Sequence, residues 1–487
     1  MSARGQALLK GASWLAVSQI LVVVLQFAYA GLTSRIVSSL EFGAYGVALV
    51  VIAAANLVAA GGLSQAIMRM DDAGERSSRE LASVALGLGL LGGVGVYFSA
   101  GLWAAVWNVP EAAAPIRVLA LGTAMAPAIG VCNGVLRRLG KFKGFAIVNF
   151  GAGVMGMLVG AVAVFQLRSA SALVVFPLVQ QMVVLVLICS MCGRAIWPSV
   201  PGAQSLGSII FSYKVLLSNV REYILSNILK IAVTRAIGGS ALGIWSRSDV
   251  LTVQPFTMLQ NSIMQVVYPE FSRSVRMGKS ETGRESWGDL LALTAWVTVP
   301  AGFVLAAILP EMVPVLFGPG WGETAKLVPL VAIGACFQPI TTLLAAGLES
   351  LGKFQVIFRT QVFIILVVVV IALGVLLTRS LALAVAGVGF SLLLRHAIHV
   401  YMSVKLDLIN SRSIIKSYGW VLWTSFAYGL TSWTLLSIGE KTLHGFLVWV
   451  PLLVAWMLNT AGVILLRRRT QFWTLLCKYE MVPTSLR

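Results

Sequence analysis

Residues 356–377 read VIFRTQVFIILVVVVIALGVLL, a predominantly apolar stretch in which Arg359 is the one charged residue. About 20 consecutive apolar residues form a helix that crosses the hydrocarbon core of a bilayer, whereas a much shorter run indicates a buried helix of a soluble protein. Residues 43–63 and 81–106 are two more stretches of this kind. The chain therefore contains membrane-spanning helices.

The composition of the whole chain agrees with these stretches. Of its 487 residues 58% are hydrophobic and 11% are charged, whereas a soluble domain carries about a quarter charged residues. So little charge does not cover a water-facing surface. The same apolar pattern along the rest of the chain predicts an all-α integral membrane protein with about fourteen spans. The predicted spans are 12–34, 43–67, 81–106, 116–136, 145–166, 172–192, 212–236, 244–268, 289–309, 327–348, 356–377, 381–403, 417–437 and 445–466. The first of them is expected to be an uncleaved span rather than a signal peptide.

The net charge of +18 is a topology signal. With the N-terminus inside, 25 of the 36 Lys and Arg residues lie on the inner side or at inner span ends, seven lie on the outer side or its borders, and four lie deeper within spans. This asymmetry is the one that the positive-inside rule describes. It predicts that both termini are cytoplasmic, and it argues against a nucleic-acid partner.

Two short motifs occur twice. Residues 139–142, LGKF, recur as residues 351–354, an offset of 212, and Pro127 has its counterpart in Pro339 at the same offset. Near the start of each half, FGAY at 42–45 resembles LGIW at 242–245, an offset of 200. Spans 1–6 and 7–12 are therefore predicted to be duplicated halves.

The duplication predicts the domain organisation. We expect a six-helix lobe at 1–200, a second six-helix lobe at 201–410, and two additional helices with a basic tail at 411–487. Each half has an even number of spans, so both halves enter the membrane in the same direction, as halves related by an axis along the membrane normal do. Two such bundles can rock about a central cavity. This is the architecture of a transporter, and an enzyme does not need it.

Charged and polar side chains are concentrated in a few predicted spans. A charge at the bilayer centre costs at least ~2.5–3.5 kcal/mol, so it persists where it faces a polar cavity or a partner. Arginine binds phosphate and carboxylate groups in a bidentate manner. We predict a cationic substrate cavity lined by Arg221, Glu222, Lys230, Arg247, Asp249, Arg395, Asn219, Asn227 and Arg35. The alternative is that the cations pair with Glu222 and Asp249 or reach the membrane surface.

Three other features are interpreted as structural, and a fourth, Pro255, as functional. The GxGxxG spelling at 87–92 lies inside an apolar stretch, so we interpret it as helix packing and not as a nucleotide site. His396 and His399 are interpreted as interfacial. Cys189 and Cys192 form a CxxC spelling, but no second Cys or His pair lies nearby in the sequence to complete a zinc site. Pro255 is expected to bend span 8 functionally.

The order and spacing of several segments give the chain a family resemblance. These segments are Gly11–Trp14, Glu41–Tyr45, Ala241–Trp245, Tyr268–Ser272 and Leu316–Gly318. With them the chain resembles the polysaccharide-transporter branch, including Wzx-type flippases and exopolysaccharide exporters, of the superfamily that also contains multidrug-and-toxin exporters and the lipid II flippase. Lys230, Arg247 and Asp249 depart from the pattern, so coupling-ion residues are not transferred from the family.

The resemblance implies a MATE-like fold and a function. The expected activity is translocation of a polyprenyl-diphosphate-linked oligosaccharide, or export of a polysaccharide, across the bacterial inner membrane by alternating access. Its expected partners are the lipid-linked oligosaccharide, membrane lipids, and polymerase and chain-length proteins. No catalytic motif, cofactor site or metal site is predicted. A cation-coupled multidrug antiporter and a polysaccharide polymerase or ligase are the alternatives.

Overall fold

The computed structural model describes residues 24–60, 75–139, 142–200, 223–261 and 280–442, with single positions 63, 67, 216, 220, 263, 264, 454 and 457. All regular secondary structure in these residues is helical. In chain order the α-helices are α1 24–34, α2 Ser39–Ala60, α3 Glu75–Trp107, α4 Ala113–Arg138, α5 Phe142–Leu167, α6 Ala170–Leu173, α7 Val175–Cys192, α8 223–236, α9 Gly239–Leu251, α10 253–261, α11 Ser280–Phe317, α12 Gly322–Ala335, α13 Gln338–Ser350, α14 Phe354–Thr378, α15 Leu381–Lys405 and α16 Ser411–Thr442.

These helices confirm the predicted class of fold. Within the described residues, nine helical segments are long and apolar enough to cross a membrane, and they coincide with predicted spans 2–6 and 9–12. Helices α1, α8, α9 with α10, and α16 occupy predicted spans 1, 7, 8 and 13. Of predicted span 14, Val454 and Met457 are helical, and its other residues lie outside the described part. The protein is an all-helical integral membrane protein.

Packing divides the chain into two compact units. The first unit consists of Val24–Ser246 and Ala372–Leu381, and the second contains Arg247–Ile371 and the chain after Leu381. Helix α8 and the first two turns of α9 thus pack with the first unit, although the sequence repeat assigns them to the second half. The predicted lobes are defined by sequence repetition, and that division stays a prediction.

The core of the first unit is built on α2, α3 and α4. Val47 and Val51 of α2 pack with Ile116 and Leu119 of α4 in one buried cluster, which also includes Leu242 of α9. Small residues allow backbones to approach closely in membrane helices, where lipid tails are as apolar as the side chains.

Two glycines of the GxGxxG spelling, Gly89 and Gly92, serve this packing. A Cβ atom built at Gly89 would overlap the carbonyl oxygen of Ala124 in α4, and one at Gly92 would lie 3.2 Å from the Thr123 methyl group. Helix α3 continues through all of these residues, so the spelling does not lie between a strand and a helix. The prediction that these glycines are packing positions is confirmed for Gly89 and Gly92, whereas Gly87 is exposed and nothing lies within 4 Å of a Cβ atom built there.

The two copies of the repeated FGAY-type motif pack against each other at the start of α2 and α9. A Cβ atom at Gly43 would overlap the carbonyl oxygen of Gly239, and a Cβ atom at Gly243 would overlap the carbonyl oxygen of Ser39. Both pairs are related by the offset of 200 that relates the motifs in the sequence. The contact, which we call the glycine crossing, is therefore two-fold symmetric, and each half supplies one glycine and one backbone carbonyl.

A second symmetric feature is visible at two helix ends. Arg168 follows α5 with φ +49°, and Arg379 follows α14 with φ +52°. Their amides donate to the carbonyl oxygens of Val164 at 3.1 Å and of Val375 at 2.9 Å. A left-handed residue of this kind ends a helix by satisfying a free carbonyl, and glycine is the usual residue there. No motif in the sequence marks this correspondence.

Replacing Arg168 by glycine is expected to stabilise the protein by about 0.5–1 kcal/mol, because glycine adopts positive φ without the Cβ penalty. The measurement is the midpoint of thermal unfolding in detergent. Arg117, an exposed arginine inside α4, provides the matched control. Arg117→Gly should destabilise by about 1 kcal/mol, since glycine inside a helix lacks that compensation. A fall in the midpoint for Arg168→Gly would contradict the argument.

The start of α6 is joined to α2 by a carboxylate. Glu41 Oε2 accepts a hydrogen bond from the Ala170 amide at 2.5 Å. Ser169, the residue in the capping position, makes no side-chain cap of its own. Because the first amides of a helix have no partner within it, Glu41 performs the capping from a distant part of the chain.

Glu41→Gln is expected to lower the free energy of unfolding by about 1 kcal/mol, since a neutral oxygen is a weaker cap than a carboxylate. The readout is again the unfolding midpoint. Glu323→Gln is the control, because Glu323 pairs with Lys326 at 2.7 Å with side chains 66% and 74% exposed. Such an exposed pair contributes about 0–1 kcal/mol. Equal losses in the two variants would show that Glu41 is not a cap.

The second unit is centred on α11, which packs along α12 and α16. Trp287 and Leu291 of α11 lie in one buried cluster with Leu343 and Leu344 of α13 and Val421 of α16. Close backbone approaches recur here. A Cβ atom at Gly334 of α12 would lie 2.8 Å from the Gly389 Cα atom of α15.

Candidate functional site

Helix α8 carries two predicted cavity residues of the first unit, Asn227 and Lys230. Asn227 is buried, and its Nδ2 atom donates to the Tyr223 carbonyl one turn earlier at 2.8 Å. The Tyr223 hydroxyl donates to the Val50 carbonyl of α2 at 2.7 Å, so it anchors α8 to the core of the unit. Leu229 is buried, whereas the neighbouring Lys230 is half-buried. Lys230 therefore lies away from the most buried face of α8.

Three predicted cavity residues, Asn219, Arg221 and Glu222, lie outside the described residues, and their roles stay predictions. Arg35 is exposed and follows α1. Arg235 at the end of α8 donates from Nε to the Val106 carbonyl at 2.7 Å, which joins the ends of α8 and α3.

Helix α9 carries Arg247 and Asp249. Arg247 is 7% exposed, whereas Asp249 is half-buried. Burying a guanidinium in a membrane helix is costly unless polar groups replace its hydration. Arg247 lies one helical turn beyond Gly243 of the glycine crossing, so its helix is fixed in position by backbone contacts. Of the predicted cations whose side chains the structure describes, Arg247 is the most buried.

Span 8, for which a bend at Pro255 was predicted, is interrupted next to this arginine. Helix α9 ends at Leu251, and α10 begins after Thr252, whose hydroxyl donates to the Ser248 carbonyl at 2.7 Å. Pro255 has no amide hydrogen for the Leu251 carbonyl, which is the acceptor one turn earlier. The interruption therefore lies one turn before the proline, and its functional role stays a prediction.

Helix α15 carries Arg395, which is half-buried, and two histidines. His396 is 6% exposed and His399 is 2% exposed. Neighbouring helices therefore cover both histidines, and their interpretation as interfacial, which concerns depth in the membrane, stays a prediction. Hydropathy places a residue along the helix axis, but it does not reveal that neighbouring helices cover this face of α15.

Side chains from α13, from α16 and from the turn before α13 surround the His396 ring. Its Nδ1 atom lies 3.0 Å from the Thr341 hydroxyl of α13. The ring is stacked on Tyr418 of α16, with centroids 5.6 Å apart and an interplanar angle of 18°, and the Phe337 ring lies 5.5 Å away. Sequence reasoning missed Thr341, Tyr418 and Tyr223. No motif in the sequence marks these residues, because each acts through a contact with a distant helix.

The predicted cavity residues that the structure describes within helices lie on α8, α9 and α15. Asn227 and Lys230 share α8 in the first unit, and Arg247 shares α9 with Asp249. Arg395 adjoins the buried histidines in the second unit. In the part of the chain that the structure describes, no group of three or more His, Cys, Asp or Glu residues is arranged to hold a metal ion. Guanidinium and ammonium groups are chemically suited to anions, which they meet with charged hydrogen-bond donors.

The sequence of the chain is similar to a known family and to several named proteins. A family model described as polysaccharide biosynthesis protein matches residues 32–326. Lipopolysaccharide biosynthesis protein WzxC of Escherichia coli is 22% identical over 360 residues, which cover 73% of this chain and 72% of that protein. Succinoglycan biosynthesis transport protein ExoT of Rhizobium meliloti is 23% identical over 359 residues, covering 72% and 70%.

Solved structures show the same fold at lower identity. The lipid II flippase MurJ in an inward closed conformation has a TM-score of 0.73 and 12% identity, and the match covers 93% of this chain and 99% of MurJ. An inward-facing multidrug resistance MATE family transporter has a TM-score of 0.65 and 14% identity, with coverage of 81% and 98%. The chain belongs to the polysaccharide biosynthesis protein family, and its fold is that of the superfamily of multidrug, oligosaccharidyl-lipid and polysaccharide exporters.

Proposed function

We propose that the protein translocates a polyprenyl-diphosphate-linked oligosaccharide repeat unit across the bacterial inner membrane by alternating access. The family match over residues 32–326 carries this proposal. The names of the relatives support it, since WzxC and ExoT are named for the biosynthesis of lipopolysaccharide and for succinoglycan transport, and MurJ is named a lipid II flippase. The protein acts as a transporter and not as an enzyme.

The charge of the candidate residues suits such a cargo. A polyprenyl diphosphate carries negative charge close to a long apolar tail and a polar glycan. Arg247 is a buried guanidinium, and its planar fork of donors matches phosphate oxygens in pairs. The proposed cavity residues are Arg247, Lys230, Arg395, Arg221, Asp249, Glu222, Asn219, Asn227 and Arg35.

The proposed setting follows from the distribution of charge. The chain crosses the inner membrane many times with both termini in the cytoplasm, where the basic loops meet anionic lipids. The partners are the lipid-linked oligosaccharide and membrane lipids, together with polymerase and chain-length proteins that act on the translocated units.

Reconstitution tests the proposal directly. Purified protein is placed in liposomes that contain a lipid-linked oligosaccharide, and a membrane-impermeant glycan-modifying reagent is added outside. In protein-free liposomes the reagent reaches only the outer leaflet. In proteoliposomes the modified fraction should rise toward completion. No rise with protein that retains its unfolding transition would refute the proposal.

The fold shared with a MATE transporter supports one alternative, a cation-coupled multidrug antiporter. A cavity for organic cations would favour acidic groups, whereas the candidate residues here are mainly basic. Deletion of the gene should therefore leave the accumulation of a cationic dye unchanged. A rise in dye accumulation would favour the alternative.

A further inference from the structure

Three cysteines meet where α4 approaches the end of α7. Cys132 and Cys189 are 57 residues apart in the sequence, yet their Sγ atoms are 3.7 Å apart. Cys192, one turn after Cys189, directs its thiol to the Cys132 carbonyl oxygen at 3.7 Å. The CxxC spelling reveals two of these thiols, and packing adds the third from a different helix.

The surroundings hold the thiols in place. Cys132 is 2% exposed and Cys192 is 8% exposed, and both lie in an apolar cluster with Val135, Val184 and Ile188. A disulfide requires about 2.05 Å between sulfurs, so the Cys132 and Cys189 sulfurs need to approach by about 1.7 Å. A small rotation of the two side chains can supply such a shift.

Cys189 is more exposed than Cys132 and Cys192. It is half-buried, whereas Cys132 and Cys192 are buried. A buried thiol is shielded from an external oxidant, so the reaction begins at a partly exposed thiol, and a buried thiol that touches it can react afterwards. Since no metal-holding group of three or more His, Cys, Asp or Glu residues occurs among the described residues, the geometry favours thiol chemistry over metal binding.

We propose that Cys132 and Cys189 are a peroxide-sensitive thiol pair. A hydroperoxide oxidises the Cys189 thiol to a sulfenic acid, its O–O bond breaks, and it leaves as an alcohol. The Cys132 thiol then attacks the sulfenic sulfur, the S–S bond forms, and the hydroxyl group leaves with the thiol proton as water. The two thiols together lose two electrons and two protons, which reduce the hydroperoxide to alcohol and water.

The product is a covalent link between α4 and α7 within the first unit. On the proposed topology these sulfurs lie toward the cytoplasmic side, where reductants keep thiols reduced. The pair is therefore a dithiol at rest and a disulfide during exposure to peroxide. The link closes a long loop of the chain, so the oxidised protein should unfold at a higher temperature than the reduced protein.

The test counts free thiols in the full-length protein. Membranes that contain the protein are treated with tert-butyl hydroperoxide, then the protein is unfolded in detergent and labelled with a polyethylene-glycol maleimide. Of the five cysteines, all five should be labelled before oxidation and three after it. Dithiothreitol should restore the count to five. Peptide mapping of the wild-type protein should find the cross-link between Cys132 and Cys189.

Single substitutions distinguish this pair from the other thiols. Cys132→Ser and Cys189→Ser should each abolish the loss of two labels, whereas Cys192→Ser should retain it. Cys336 is the matched control, since it is fully buried and its thiol donates to the Ile333 carbonyl at 3.1 Å. Cys336→Ser should still lose two labels. Five labelled thiols after oxidation, or a mapped cross-link between Cys132 and Cys192, would overturn the proposal.

Discussion

Replacing Gly243 by alanine should destabilise the protein by about 3 kcal/mol, the upper end of the usual cost of overpacking. The new methyl group would overlap the Ser39 carbonyl oxygen, and the backbone amide of Gly43 would lie 3.0 Å from it. These neighbours are backbone atoms, so they cannot rotate away as a side chain can. Relief requires α2 and α9 to separate, which loses the contacts of the whole glycine crossing.

Gly43→Ala should have a similar effect, because Gly43 meets the Gly239 carbonyl in the symmetric half of the crossing. The double variant of Gly43 and Gly243 should cost less than the sum of the single losses, since separation of the helices relieves both overlaps. The measurements are the unfolding midpoint in detergent and the amount of folded protein in membranes.

Gly101→Ala is the matched control for the glycine crossing. Gly101 is exposed within α3, and nothing lies within 4 Å of a Cβ atom built there. Its substitution should not lower the free energy of unfolding, and it should raise it by up to about 1 kcal/mol, because alanine is the better residue inside a helix. If Gly243→Ala is as mild as Gly101→Ala, or if the two crossing variants are additive, the symmetric contact does not hold the helices together.

Replacing Arg247 by glutamine should slow translocation of a lipid-linked oligosaccharide by about 10- to 100-fold. A hydrogen bond to a charged group contributes about 1.5–3 kcal/mol, and each 1.4 kcal/mol corresponds to a factor of ten. Glutamine keeps an amide donor in the buried position but loses the charge and the fork of donors. Initial rates in proteoliposomes at equal amounts of protein measure the effect.

Two further variants sharpen the interpretation of Arg247. Arg247→Lys keeps the charge without the planar fork, so its rate should lie between those of wild type and Arg247→Gln. Arg359→Gln is the control, since Arg359 is exposed on α14, and its rate should match wild type. A wild-type rate for Arg247→Gln would exclude Arg247 from the cavity. A lowered unfolding midpoint in that variant would assign Arg247 a structural role instead.

Features that depend on nearby residues were predictable. The length and apolar content of each span are local properties, so the positions of spans 2–6 and 9–12 agree with the structure. The repeat at offset 200 was also visible, because it relates similar motifs within one chain. Its physical meaning was not visible, since the sequence does not show that Gly43 and Gly243 lie on opposite sides of one contact.

Features that depend on which side of a helix is covered were not predictable. His396 and His399 were interpreted as interfacial from their position near a span end, and nothing in that position shows that contacts from α13 and α16 bury this part of α15. Tyr223 anchors α8 to α2 through a carbonyl 173 residues away, which no spacing rule indicates. Burial at a given depth in the membrane is a property of neighbouring helices.

The sequence alone determined the helical membrane class and the duplicated motifs, because both follow from the composition and order of residues along one segment. Tertiary structure decided which residues meet. It brought Cys132 to Cys189, set the two repeated glycine motifs face to face, and packed α8 with the first unit. The reason is that hydropathy specifies that a helix enters the membrane, whereas its partners depend on close packing between helix surfaces. That packing is set by the shapes of surfaces distant in the chain.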